Sequence, residues 1–443
     1  MRKLGSLLLK SIRRPILLIC LIQSGFRLLL ALPILRKAKV IVVMEEGGFG
    51  HTIAGPEAAR RLFKNQRPVF ILLSDRNFHN AKVRLLWQDI HVLFLRLVWH
   101  VQFGNQEILM GGPSLDFRKK IHAVLVQWLK RFTKAEVISL QELYDHVAFL
   151  HPVPALSKNK EMNSVRWVPG WARLLETIPA EKVRLPSAHR RIIQERIDRF
   201  QSPTASAENG TRPLCCLYLR ARGDHVNLES FRRNGSPAES YLPAIGFLIE
   251  KGYTVLVTGD RLTNPSYAQE FDRRVICAKF IGIDPRLFDL FAATEANLWI
   301  GDTGGGTWLS IINRIPMLVL NAFPIGFGAP YAWMCYKTIL DKAGQLIPPM
   351  KLFSEHCYDF EMDGLTVHDN SSQEILSATA AFLQSLSLGS NPDEYLHFFQ
   401  NLPEEVLAKH VHCRLSPAWG NLSQERNGWQ PTGGLHHEPQ RIG

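Results

Sequence analysis

Short apolar runs that stop on a glycine or a polar residue recur along the chain. They are KVIVVM ahead of EEGGFGHTI, PVFILLS, LCCLYLR ahead of ARGD, YTVLVTGD, NLWIGD ahead of TGGGTW, and PMLVLN. Runs of this length without strict alternation suit strands buried on both faces. Between them, apolar residues return at three- and four-residue spacing in PEAARRLFKN, with Pro56 at its first turn, and in AESYLPAIGFLIEKG, PRLFDLFAATE and GGTWLSIINRI, all of which predict helices. Strand and helix therefore alternate. That order predicts an α/β fold with parallel sheets and right-handed crossovers, in which ligands sit beyond the carboxyl ends of the strands.

The 443 residues exceed what one core of ~100–150 residues serves, so two α/β domains with extensions are expected. The divisions predicted are a basic apolar segment at 1–37, a first domain at 38–200 and a linker at 201–213, where QSPTASAENGTRP holds only small, polar and turn residues. A second domain at 214–415 and a flexible tail at 416–443, rich in Gly, Pro and Gln, complete the chain.

Charge changes the picture at one end only. Residues 1–39 carry nine Lys or Arg and no Asp or Glu, whereas the rest has 43 basic against 40 acidic groups, so the net +12 is mostly terminal. A nucleic-acid binder spreads its basic residues over a folded face, and none is expected as partner. The run Pro15 to Leu35 has the length of a membrane span but holds Gln23, Ser24 and Arg27 in its middle, with basic residues on both sides. The expectation is a segment lying on an anionic membrane surface, on the cytoplasmic side, with a true span or signal anchor and a helix buried in the fold as alternatives; a chain starting near Arg36 is expected to stay soluble. Seven cysteines, odd in number and without CxxC spacing, point to a reducing compartment.

Three clusters could carry chemistry. In LYLRARGDHVNLESFRRNGS a strand end delivers Arg220, Arg222 and Asp224, followed by Arg233 and Asn234; several planar guanidiniums in one loop suit phosphate oxygens. In IGDTGGGTW, Asp302 and Thr303 are followed by Gly304, Gly305 and Gly306, which let backbone amides approach a ligand, and by the Thr307 hydroxyl. This is neither a P-loop nor a dinucleotide fingerprint. In GGFGHTIAG, Gly47, Gly48 and Gly50 follow a strand and His51 is a candidate base in the loop. Gly259 and Asp260 end a further strand, and Asn321 ends another. No Asp-x-Asp pair or His ligand spacing is present, so neither metal nor cofactor is expected.

On the residues YLRARGD, Arg233 and Asn234, Tyr241, GYTVLVTGD, IGDTGGGTW and PMLVLNAFP, the second half resembles bacterial surface-carbohydrate glycosyltransferases similar to the fucosyltransferase type; GFGH and GPEAAR match more weakly in the first half. The resemblance implies a GT-B enzyme with two Rossmann-like domains facing across a cleft. The first would hold the acceptor near Gly47, Gly48 and Gly50. The second would hold a nucleotide-sugar through Arg220 or Arg222, Asp224, Arg233, Asn234, Gly259, Asp260, Asp302, Asn321 and the 303–307 loop. Tyr218 stands where that family places a histidine. The implied reaction is metal-independent, inverting transfer of a sugar to a lipid-linked or cell-surface glycan acceptor, with His51 as base. A nucleotide-sugar epimerase or hydrolase, or a binding protein without turnover, is the alternative.

Overall fold

The structure is a computed structural model that describes residues 2–44, 49–74, 81–103, 106–111, 114–150, 167–201, 212–220, 235–259, 271, 273–323, 325, 332–348, 351–352, 355–356, 362–387 and 414–415. Most of the predicted linker and the predicted tail lie outside them. The contacts gather into two compact units, one of Met1–Leu219, Gly252–Trp299 and Gly304–Pro316, the other of Arg220–Lys251, Ile300–Thr303 and Met317–Gly443.

The chain begins with α1 (Arg2–Leu35), β1 (Val40–Met44), α2 (Phe49–Leu62), β2 (Val69–Ser74), β3 (His91–Arg96), β4 (Val98–Phe103) and β5 (Gln106–Gly111). Next come α3 (Leu115–Phe132), β6 (Glu136–Ser139), α4 (Leu140–Phe149), α5 (Trp167–Thr177) and α6 (Ser187–Gln201). Strands β3-β2-β1-β6 form one sheet, with β1 parallel to both β2 and β6 and β2 parallel to β3. β4 and β5 form a separate antiparallel pair. All residues of β1 are buried, as its unbroken apolar run requires.

The second half holds β7 (Leu214–Leu219), α7 (Leu242–Glu250), β8 (Thr254–Gly259), β9 (Val275–Ile276), α8 (Pro285–Glu295), β10 (Leu298–Asp302), α9 (Thr307–Ile312) and β11 (Met317–Ala322). β12 (Ala332–Tyr336), β13 (Thr338–Leu340), β14 (Thr366–His368), α10 (Ser372–Ser387) and β15 (Arg414–Leu415) follow. The sheet order is β15-β12-β11-β10-β7-β8-β9, and the β7–β8, β8–β9, β11–β12 and β12–β15 pairings are parallel. The α/β class and the parallel sheets are as expected, and each of the six apolar runs forms its strand.

Two local expectations are corrected. The helix expected to start at Pro56 starts at Phe49, so His51 lies in the first turn of α2 and not in a loop. The glycines there are spent on packing: a Cβ on Gly55 would come within 2.6 Å of the Phe70 ring. Pro56 sits inside the helix, where it forgoes one backbone bond. α2 is fastened instead through Glu57, fully buried, which accepts from Arg60 at 2.9 Å, Arg61 at 2.6 Å and the Trp87 indole at 3.2 Å.

The second correction concerns α1. Its residues Cys20, Ser24, Ala31 and Leu35 are buried at helical spacing, and the last two join the core with Ile41, Val43, Ile71 and Leu95. The two polar residues that interrupt the apolar run explain themselves. The Ser24 hydroxyl donates to the Arg96 carbonyl at 3.0 Å, and the Arg27 guanidinium donates to the Phe94 carbonyl at 3.0 Å. α1 is therefore packed on β3 through its buried side.

Candidate functional site

The question raised by glycine at strand ends has a different answer at each one. Gly259 has φ +81°, and a Cβ there would lie 2.2 Å from the Leu219 carbonyl of the neighbouring strand, so only glycine closes β8 in this way. Gly304 and Gly306 lie over the Tyr218 ring, where added Cβ atoms would come within 3.2 and 2.9 Å of ring carbons. Tyr218 in turn stacks on Trp299 with ring centroids 5.9 Å apart.

The same unit brings the first glycine turn to this loop. A Cβ on Gly50 would meet the Trp308 ring at 2.7 Å and the Gly305 backbone at 3.2 Å, and Trp308 packs on Trp171 with centroids 5.2 Å apart. His51, next to Gly50, has its Nδ1 2.8 Å from the Tyr144 hydroxyl of α4. Burial lowers the His51 pKa and raises that of Tyr144, so near neutrality the pair consists of a neutral imidazole and a phenol. Either tautomer suits this contact, with Nδ1–H donating to the phenol oxygen or the phenol donating to Nδ1.

In the other unit, Asp302 is fully buried at the end of β10. Its Oδ1 accepts from the Tyr241 hydroxyl and from Asn321 Nδ2 at 2.8 Å, and its Oδ2 accepts from the Arg220 backbone amide at 2.9 Å. A Cβ on Gly235 would fall 1.9 Å from Oδ2, so glycine is what lets the chain cover this carboxyl. Burial raises the Asp302 pKa to about 6, although the bonds from Tyr241, Arg220 and Asn321 and the charge of Lys337 all lower it. Asn321, at φ +49°, exchanges bonds with Asn370: its amide donates to the Asn370 side chain at 2.7 Å, and its own side-chain oxygen accepts from the Asn370 amide at 2.6 Å. The Ser236 hydroxyl donates to the Asn370 carbonyl at 2.7 Å.

This network fixes the two groups that do reach the surface. Arg220 is half-buried, and one N–H of its guanidinium donates to the Thr303 carbonyl at 3.1 Å. The Thr303 hydroxyl donates to the Asn321 carbonyl at 3.3 Å, and the Thr307 hydroxyl donates to the Gly304 carbonyl at 2.7 Å. Asp302 and Asn321, expected as donor contacts, are enclosed and hold strand ends in place. Gly47, Gly48, Arg222, Asp224, Arg233, Asn234 and Asp260 lie outside the described residues. Sequence reasoning named Tyr241 only within a motif and missed Tyr144, Ser236 and Asn370. Their signal is tertiary, since each matters through a partner distant in the chain. Among the described residues no group of three His, Cys, Asp or Glu is gathered as metal ligands are.

No protein-family model matches the chain, and neither does any curated protein. Among solved structures it is similar to a family 9 glycosyltransferase from Veillonella parvula, at 13% identity and TM-score 0.41, covering 68% of this chain and 87% of that one. It is also similar to the ADP-heptose lipopolysaccharide heptosyltransferase II of E. coli, at 11% identity and TM-score 0.43, covering 78% and 99%. A third is the UDP-GlcNAc 2-epimerase of Neisseria meningitidis, at 13% identity and TM-score 0.34, covering 87% and 97%. None reaches a TM-score of 0.5, so fold class rests on the sheets and chemistry on the residues.

Proposed function

We propose that the protein is a GT-B glycosyltransferase that moves a sugar from a nucleotide-sugar to a lipid-linked or cell-surface glycan acceptor at the cytoplasmic face of the inner membrane. The observation that carries this reading is the packing of Gly50, next to His51 in the first turn of α2, against Gly305 and Trp308. In this reading the residue next to Gly50 supplies the base, and the loop it adjoins offers backbone amides to a diphosphate.

In the proposed step the acceptor hydroxyl oxygen attacks the anomeric carbon, and His51 takes its proton. The bond from that carbon to the diphosphate oxygen breaks, the electron pair leaves with the diphosphate, and the single displacement inverts the centre. Arg220 and the amides of the 303–307 loop would stabilise the charge that develops on the leaving group without a metal. Asp302 acts through Arg220 by holding its backbone amide.

Variants at two residues test the roles separately. With a panel of GDP-, UDP-, dTDP-, CMP- and ADP-sugars, Arg220→Ala should weaken binding of the stabilising donor at least about tenfold, because a charge-assisted bond is worth roughly 1.5–3 kcal/mol. His51→Ala should lower turnover by ~10²–10⁴ while donor affinity stays nearly constant. Unchanged donor affinity in Arg220→Ala removes the donor-site assignment. Near-normal turnover in His51→Gln assigns His51 to structure. Nucleotide release that ignores acceptor favours a hydrolase or epimerase, and stabilisation without release favours a binding protein.

A further inference from the structure

The docked helix α1 leaves an open groove of about 500 Å³ between itself and α3, floored by Leu73 and Leu95. Gly25 of α1 and Phe117, Lys120, Val124 and Trp128 of α3 line it. The groove continues outward into an apolar face. On α1, Ile22, Phe26 and Leu29 are 64%, 62% and 60% exposed, and on α3 Val124 is 65% exposed. A soluble monomer rarely leaves so much contiguous apolar surface uncovered. Gly25 keeps the groove open, since a Cβ there would have nothing within 4 Å.

Charge decides among occupants. α3 carries Arg118, Lys119, Lys120, Lys130 and Arg131 against the single acid Asp116, and α1 has no acid at all. A second copy docked by a two-fold contact would set these basic helices against each other, which like charges oppose. An anionic lipid surface meets both the apolar face and the basic rim. Ser24 and Arg27 meanwhile pin α1 along β3, so its outer face can lie on a bilayer while the helix stays in the fold.

We infer that α1 and α3 together form a membrane-docking face whose groove seats one acyl chain of an anionic bilayer phospholipid. The inference is independent of the reaction proposed above. Its test uses the full chain with phosphatidylglycerol vesicles, with or without bromine on the acyl chains, and reads tryptophan quenching. Brominated chains should quench Trp128, so the quenched fraction should fall in Trp128→Phe. Gly25→Leu, whose side chain enters open space, should keep the melting temperature, remove that part of the quenching and weaken vesicle binding roughly tenfold. Lys119→Glu with Lys120→Glu should weaken binding and flatten its salt dependence. Equal quenching in wild type, Trp128→Phe and Gly25→Leu overturns the inference, as does equal binding to phosphatidylcholine. A concentration-dependent dimer that Gly25→Leu abolishes gives the groove to a second copy and overturns it too. Donor binding measured on the same variants should not change, which keeps this outcome apart from that of the glycosyltransferase reading.

Discussion

Asp302 has no exposed surface and three donors, yet burial still lifts its pKa from 3.8 to about 6. A carboxyl whose folded pKa is raised favours the protonated folded state. Its contribution is therefore full below about pH 4 and is lost as pH rises through 6. A shift of about two units corresponds to ~3 kcal/mol at most. The stability of wild type minus that of Asp302→Asn, measured by denaturant unfolding, should fall by up to that amount between pH 4 and 7. A difference that stays flat over this range means that Asp302 titrates like an ordinary carboxyl. Sequence alone marked Asp302 as important but assigned it to the ligand, because a strand-end aspartate looks the same whether it faces solvent or is sealed by Gly235. Arg220 and His51 were singled out by residue type alone, a guanidinium at a strand end and an imidazole beside a glycine-rich stretch.

Among elements, the strands of continuous apolar residues were legible because burial on both faces leaves only one pattern. The β4–β5 pair was not, since VWHVQF and QEILMG mix polar and apolar residues and draw their definition from each other. The start of α2 was hidden by Gly50, Gly55 and Pro56, residues that normally punctuate and here fit a tight packing contact. α1 carries two signals at once. Its length and apolarity match a membrane segment, while the bonds that hold it to β3 come from two polar residues that the same pattern counts as flaws. Removing residues 1–35 should uncover Ile41, Val43, Ile71 and Leu95, contrary to the soluble truncated chain expected from sequence. Size-exclusion chromatography should find that product aggregated, and a monodisperse, folded product sinks the docked-helix account.

At the scale of the whole molecule, basic charge and open apolar surface gather at one end of the chain, while the body is near neutral. The resemblance to glycosyltransferases came from strand-end motifs in the second half, of which the structure describes the strands β7, β8, β10 and β11. The docking of α1 has a consequence in time. Ser24 bonds a residue 72 positions further along, so α1 leaves the ribosome before its cover exists. At ~5–20 residues per second that interval is roughly 4–14 s, during which an apolar, basic helix has only a membrane surface or a chaperone to shelter it. Arrested nascent chains that end before β3 should therefore sediment with anionic membranes more strongly than chains in which β3 to β5 have emerged. Equal sedimentation at both lengths would show that β3 does not compete for the helix. Stronger sedimentation of the shorter chains would show that α1 meets a membrane before it docks on β3.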